Sequence, residues 1–169
     1  MGKTVYLAAI FLILLAHAAN AGVLEEKFRQ KYGKDWDVEI DEDTGSMKRL
    51  VGYNIDIAGK IRASVLPVSG ETMIDSALKD FIQNNSYFFK TGPEDFEKEK
   101  IEYDKSPAED FESGNWYAFY RQKYKGIPVY KSYLNFVVID NKIVSVSNNF
   151  YFNISLSTTP SLSKEDAIS

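Results

Sequence analysis

Residues 116–152 read WYAFYRQKYKGIPVYKSYLNFVVIDNKIVSVSNNFYF, from Trp116 to Phe152. Aromatic and β-branched residues alternate with polar ones along this stretch, the period-two pattern of strands with one buried face. Two interruptions punctuate it, Lys125-Gly126-Ile127-Pro128 and Asp140-Asn141. The stretch therefore predicts three strands, Trp116–Tyr124, Val129–Ile139 and Lys142–Phe152, as antiparallel neighbours. Asp140 and Asn141 both tolerate positive φ, which suits a two-residue hairpin.

Upstream, helix and strand signals mix. Leu24, Phe28 and Tyr32 are one turn apart and Gly33 follows them, predicting a helix over Val23–Tyr32. Trp36, Val38 and Ile40 alternate with Asp35, Asp37, Glu39 and Asp41, a half-buried strand with an acidic face. Asp43-Thr44-Gly45 is a turn, and strands return over Met47–Val51 and Tyr53–Ile57 with Gly52 between them. Pro67–Gly70 reads as a loop. Ile74, Ala77, Leu78, Phe81 and Ile82 form one apolar stripe, predicting a helix over Thr72–Asn84 capped by Thr72 and Asp75. Phe88 and Phe89 are expected to fold back on the core. Thr91–Glu99 reads as a polar connection, Ile101 and Tyr103 as another strand, and Ser106–Gly114 as a loop. The fold class is α+β: an antiparallel meander packed against one main amphipathic helix, with a short N-terminal helix at one edge.

The first 21 residues carry a secretion signal. Lys3 precedes an apolar run, Val5–Ala16, that is too short to span a bilayer; Ala19-Asn20-Ala21 reads as the cleavage site, with Ala16-His17-Ala18 as the alternative. The mature chain of 148 residues is enough for one ordinary domain. The expected organisation is a signal peptide over 1–21, one domain over 22–157 and a further segment over 158–169. No second apolar run is long enough to cross a membrane, so the reading is secreted, whether extracellular, periplasmic or at the cell surface. Removing Lys3 with the leader leaves 19 basic against 24 acidic residues, a balance against nucleic acid as partner.

There is no cysteine, and the only histidine is His17, within the leader. Ser-His-Asp and Cys-His catalytic sites are thereby excluded, as are His-bearing zinc sites. No catalytic residue, metal site or cofactor is expected. The acidic run Asp35–Asp43 lacks the glycine that a calcium-binding EF-hand loop requires and reads as a solvated strand face. Asn84-Asn85-Ser86 and Asn153-Ile154-Ser155 are glycosylation sequons, of consequence in a eukaryotic host.

The string Arg121-Gln122-x-Tyr124-x-Gly126-Ile127-Pro128-Val129 resembles the signature of the propeptide domain shared by thermolysin-like and fungalysin-like zinc metallopeptidases. Asp43-Thr44-Gly45 with Lys48–Gly52 is similar to that family's opening hairpin, and Ala77-x-x-x-Phe81-x-x-x-Asn85-x-x-x-Phe89, with slightly different spacing, to its helix. Pro160-x-Leu162-Ser163-x-x-x-Ala167 is similar to the start of the PepSY domain that usually follows, here ending at Ser169. Unlike many family members, the chain has no glycine in its Asp140-Asn141-Lys142 turn. The resemblance implies a propeptide module that binds a metallopeptidase catalytic domain, assists its folding and keeps it latent, with the zinc in that domain. Ser163–Ile168 also reads as a capped helix start too short to hold itself together, so the chain is expected to be a fragment of a longer precursor or a truncated product. The alternatives are a free-standing secreted binding or inhibitor module, and a non-enzymatic N-terminal domain of a surface protein.

Arg121, Gln122, Tyr124, Tyr130 and Tyr133 are the candidate partner-binding residues. Tyrosines, Tyr117 among them, are enriched at contact hot spots. For Arg121 and Gln122 the competing expectation is hydrogen bonding within the domain's own sheet. Gly126 and Pro128 read as turn chemistry.

Overall fold

The computed structural model describes residues 22–57, 59, 70–104 and 115–159. The signal sequence, the loop readings over 67–69 and 106–114, and the PepSY-like start from Pro160 onward lie outside the described residues. Residues 22–32 form helix α1, ending where Gly33 takes φ 101° and its N–H donates to the Arg29 carbonyl. Strands β1 (Asp37–Ile40) and β2 (Met47–Asp56) follow. Helix α2 spans Gly70–Gln83 and the single turn α3 spans Ser86–Phe89. After a 3-10 turn at Pro93–Asp95 come β3 (Phe96–Asp104), β4 (Asn115–Tyr124), the two-residue β5 (Ile127–Pro128), β6 (Leu134–Ile139) and β7 (Lys142–Asn148).

The fold is α+β. The antiparallel sheet runs β1-β2-β7-β6-β4-β3, with β5 paired to β4. Helix α2 carries the chain from β2, near one side of the sheet, to β3 at the opposite edge. The parity of β4 decides which side is covered. Ala118, Tyr120 and Gln122 are buried, while Tyr117, Phe119, Arg121 and Lys123 are only half-buried. Leu134, Phe136 and Val138 of β6 alternate in the same way, and Ile143 and Val146 of β7 join the core. The stripe Ile74, Ala77, Leu78, Phe81 and Ile82 of α2 packs onto this face. Phe81 meets Phe136 edge-on, with ring centroids 6.1 Å apart. Helix α1 joins the same layer: Phe28 stacks on Phe88 at 4.8 Å and meets Trp36 edge-on at 5.8 Å.

Several sequence expectations shift. Helix α2 begins at Gly70, so Thr72 sits inside the first turn and is not its cap. The expected loop end at Gly70 is therefore helical. Asp75, the other half of that cap, instead accepts hydrogen bonds from Tyr120 Oη at 3.0 Å and Lys79 Nζ at 2.9 Å. Burial and the neighbouring Asp75 carboxylate push the Tyr120 phenol far above its ordinary pKa, so it stays a proton donor. The polar connection expected over Thr91–Glu99 gives way at Phe96 to β3. Phe96 is the reason, because it is buried against Tyr120 at 5.1 Å.

The two strands expected around Gly52 are one continuous β2, with its register shifting between Val51 and Ile55. Gly52 lies under the Trp36 indole. A Cβ there would sit 2.4–2.7 Å from three ring atoms. Trp36 is 1 % exposed and held by Phe28, so the ring cannot easily retreat. Gly52→Ala is expected to destabilise the domain by about 1–3 kcal/mol through overpacking. Urea titration followed by tryptophan fluorescence measures this; a loss below about 0.5 kcal/mol would mean that the indole is free to move.

Candidate functional site

The signature string forms an exposed corner at one end of the sheet. Lys125 and Gly126 both have positive φ, 51° and 82°, giving the tight turn that joins β4 to β5. Ile127 and Pro128 then pair with Tyr124 and Lys123. Pro128 has no N–H to donate, which a two-residue outer strand tolerates. The Val129 N–H donates to the Gln122 carbonyl at 2.8 Å, and the chain then leaves the ladder.

The strand expected from Val129 starts only at Leu134, because residues 129–133 make a second turn. Lys131 takes φ 56°. Ser132 is buried; its hydroxyl donates to the Val129 carbonyl at 2.8 Å and accepts from the Gln122 N–H at 3.1 Å. Asn149 clamps the turn from outside. Its Oδ1 accepts the Tyr133 N–H at 2.6 Å, and its Nδ2 donates to the Lys131 carbonyl at 3.0 Å. Between these anchors Tyr130 projects as the most exposed large apolar side chain of the described residues, at 81 %.

Two grooves flank this corner. The first, about 640 Å³, is lined by Glu99, Arg121, Tyr130, Lys131, Tyr133 and Asn149 among others. Arg121 Nη2 forms an ion pair there with Glu99 of β3, both side chains being nearly half exposed. Such a pair in water contributes little to stability. The second groove, about 720 Å³, is more apolar and lies between Tyr124–Tyr130 and the strip from Tyr151 to Thr159. Ile127, Tyr151 and Leu156 expose half or more of their surface to it.

The expected third strand, Lys142–Phe152, ends at Asn148. The Asn148 side chain turns the backbone away: Nδ2 donates to the Met47 carbonyl at 2.9 Å and Oδ1 accepts the Phe150 N–H at 2.9 Å. Phe150 stays in the core, but Tyr151 onward becomes the wall of the second groove. Residues 151–156 were missed as a surface feature. The paired Asn148-Asn149, a poor strand sequence, is the signal that could have found them.

Of the five candidate residues, Arg121 and Tyr133 line the first groove, Tyr124 the second, and Tyr130 stands between them facing both. Gln122 is turned the other way. It is 7 % exposed, and its amide closes a two-point clamp on Tyr151: Nε2 donates to the Tyr151 carbonyl at 2.7 Å and Oε1 accepts the Tyr151 N–H at 2.8 Å. Its side chain thus holds one groove wall in place. Among the described residues no group of His, Cys, Asp or Glu is arranged to hold a metal ion.

Residues 111–150 match the family model of the Fungalysin/Thermolysin Propeptide Motif. This is a propeptide motif of metallopeptidases and not a catalytic domain. Its described part runs from Asn115 to Phe150, so it takes in β4 to β7, the exposed corner and the Asn148–Asn149 anchors. The likeness read from Arg121–Val129 therefore extends over the centre of the sheet. No curated protein and no solved structure is similar enough to this chain to be matched to it.

Proposed function

We propose that this domain is the N-terminal propeptide module of a secreted zinc metallopeptidase precursor. It binds the catalytic domain, assists its folding and holds it latent. The observation that carries this reading is the propeptide motif over residues 111–150, the stretch that builds the exposed corner, most of the first groove and one wall of the second. The thermodynamic role needs no chemistry from this chain. A module that binds the folded catalytic domain in preference to its unfolded form stabilises it by mass action, and covalent linkage raises the effective concentration. The zinc belongs to the partner. Secretion fits the expected leader, and no described helix is long and apolar enough to cross a membrane.

The test adds the mature chain in trans to its cognate catalytic domain. The refolding yield of that domain should rise and its cleavage of a peptide substrate should slow. Absence of binding at concentrations on the order of tens of micromolar would defeat the reading, since that corresponds to an affinity weaker than most specific modules achieve.

A further inference from the structure

The fold uses its asparagines unequally. Asn85, Asn148 and Asn149 commit their side-chain amides to the domain itself. Asn85 is fully buried, with Nδ2 donating to the Phe81 carbonyl at 2.6 Å and Oδ1 accepting from Lys31 Nζ at 3.1 Å. Asn148 and Asn149 fasten turns, as described above. Asn84 and Asn153 differ from these three. Both are exposed, and neither side-chain amide is hydrogen-bonded to another described residue. Asn84 sits in the turn that follows α2. Asn153 sits at a bend with φ 60°, in the strip that walls the second groove.

These two are also the asparagines that stand two places before a serine with no proline between, in Asn84-Asn85-Ser86 and Asn153-Ile154-Ser155. The frame matters most at the first site. The sequon falls on exposed Asn84 and not on its buried neighbour, where a glycan would displace Phe81 and Lys31 from Asn85. Ser86 and Ser155 are exposed as well. Both sites can therefore carry a bulky, hydrated substituent in the folded domain without moving a buried group.

We propose that Asn84 and Asn153 are acceptor sites for N-linked oligosaccharide, added as the chain is exported, a route that rests on the secretion proposed above. The donor is a lipid-pyrophosphate-linked oligosaccharide. The asparagine amide nitrogen attacks the anomeric carbon of the first sugar, and a carbon–nitrogen bond forms. The bond from that carbon to the pyrophosphate oxygen breaks, and the lipid pyrophosphate leaves with the electron pair. The amide proton passes to a base of the transferase. No oxidant or reductant is involved. One glycan would then stand at the end of the helix layer beside Lys31, and the other at the rim of the apolar groove.

The full chain, leader included, is expressed in a eukaryotic secretory cell, and its intact mass is read before and after peptide-N-glycosidase treatment. The expected result is loss of two glycans, with each modified asparagine converted to aspartate at positions 84 and 153 by peptide mapping. Asn84→Gln and Asn153→Gln should each remove one glycan. Ser86→Ala and Ser155→Ala should remove the same glycans while leaving the asparagines in place. A chain with the mass of bare polypeptide, whether secreted or retained, overturns the proposal. A glycan at one position alone overturns the other assignment. Because peptide hydrolysis and partner binding play no part in the readout, this outcome depends on export but not on the binding and latency roles proposed above.

Discussion

Phe81→Ala is expected to destabilise the domain by about 3–5 kcal/mol, the cost of removing a buried aromatic and leaving its cavity. Phe81 is 6 % exposed and joins every layer of the core. Its ring meets Tyr32 of α1 at 5.9 Å, Phe89 of α3 at 5.8 Å and Phe136 of β6 at 6.1 Å. Its carbonyl also anchors the buried Asn85 amide. The cavity would open where three helical segments converge on the sheet, a place with little freedom to collapse. Phe81→Leu should recover much of the loss, because volume is largely kept. Denaturant titration of the purified mature chain measures both. If Phe81→Ala costs less than about 1 kcal/mol, α2 does not seat on β6 as described.

Replacing Tyr130 and Tyr133 together with alanine is expected to weaken binding to the cognate catalytic domain by about 2–4 kcal/mol, roughly 30- to 1000-fold. The same change should cost the domain itself less than about 1 kcal/mol, as for other surface positions. Tyr130 is mostly exposed; the Lys131 ammonium lies 5.4 Å from its ring centre. Tyr133 is 42 % exposed, and its backbone, not its ring, is what Asn149 holds, so the turn survives truncation. Surface plasmon resonance gives the affinity and thermal unfolding the stability. Unchanged affinity in a folded variant would place the interface elsewhere, for instance on the opposite face of the sheet with the half-buried Tyr117, Phe119 and Val137.

What could be read from the sequence follows from the range of the forces involved. The α2 stripe, the Asp140-Asn141 hairpin and the alternation of β4 and β6 are set by neighbours in the chain, and they are legible there. Asp140 and Asn141 do take positive φ, 49° and 59°. The break at Val129–Tyr133 was not legible, and the one after Asn148 showed only as a poor strand pair, because both depend on side chains that reach across the fold. Asn149 bonds residues of the preceding turn, and Asn148 bonds Met47 from the other end of the sequence. Gly52 looked like a strand break for the same reason: the Trp36 ring that requires it approaches from another element. At the candidate site, residue type pointed to Arg121 and the tyrosines. The facing of Gln122 was available from parity, since it shares a side of β4 with Ala118 and Tyr120. Its particular partner, the Tyr151 backbone, was not.

The sheet order bears on when this domain can fold. β7, the last of its described strands in sequence, is wedged between β2 and β6, so that Ile55 pairs with Ile143 and Leu50 with Val146. The N-terminal hairpin and the main helix therefore have no completed surface to settle on until synthesis has passed Asn148. Closing such long loops before any pairing rewards them makes for slow kinetics, and apolar faces stay uncovered in the interval. A ribosome-bound chain that stops short of β7 should thus remain sensitive to protease along its whole length. One extended past Asn148 and clear of the ribosomal tunnel should become resistant in a single cooperative step.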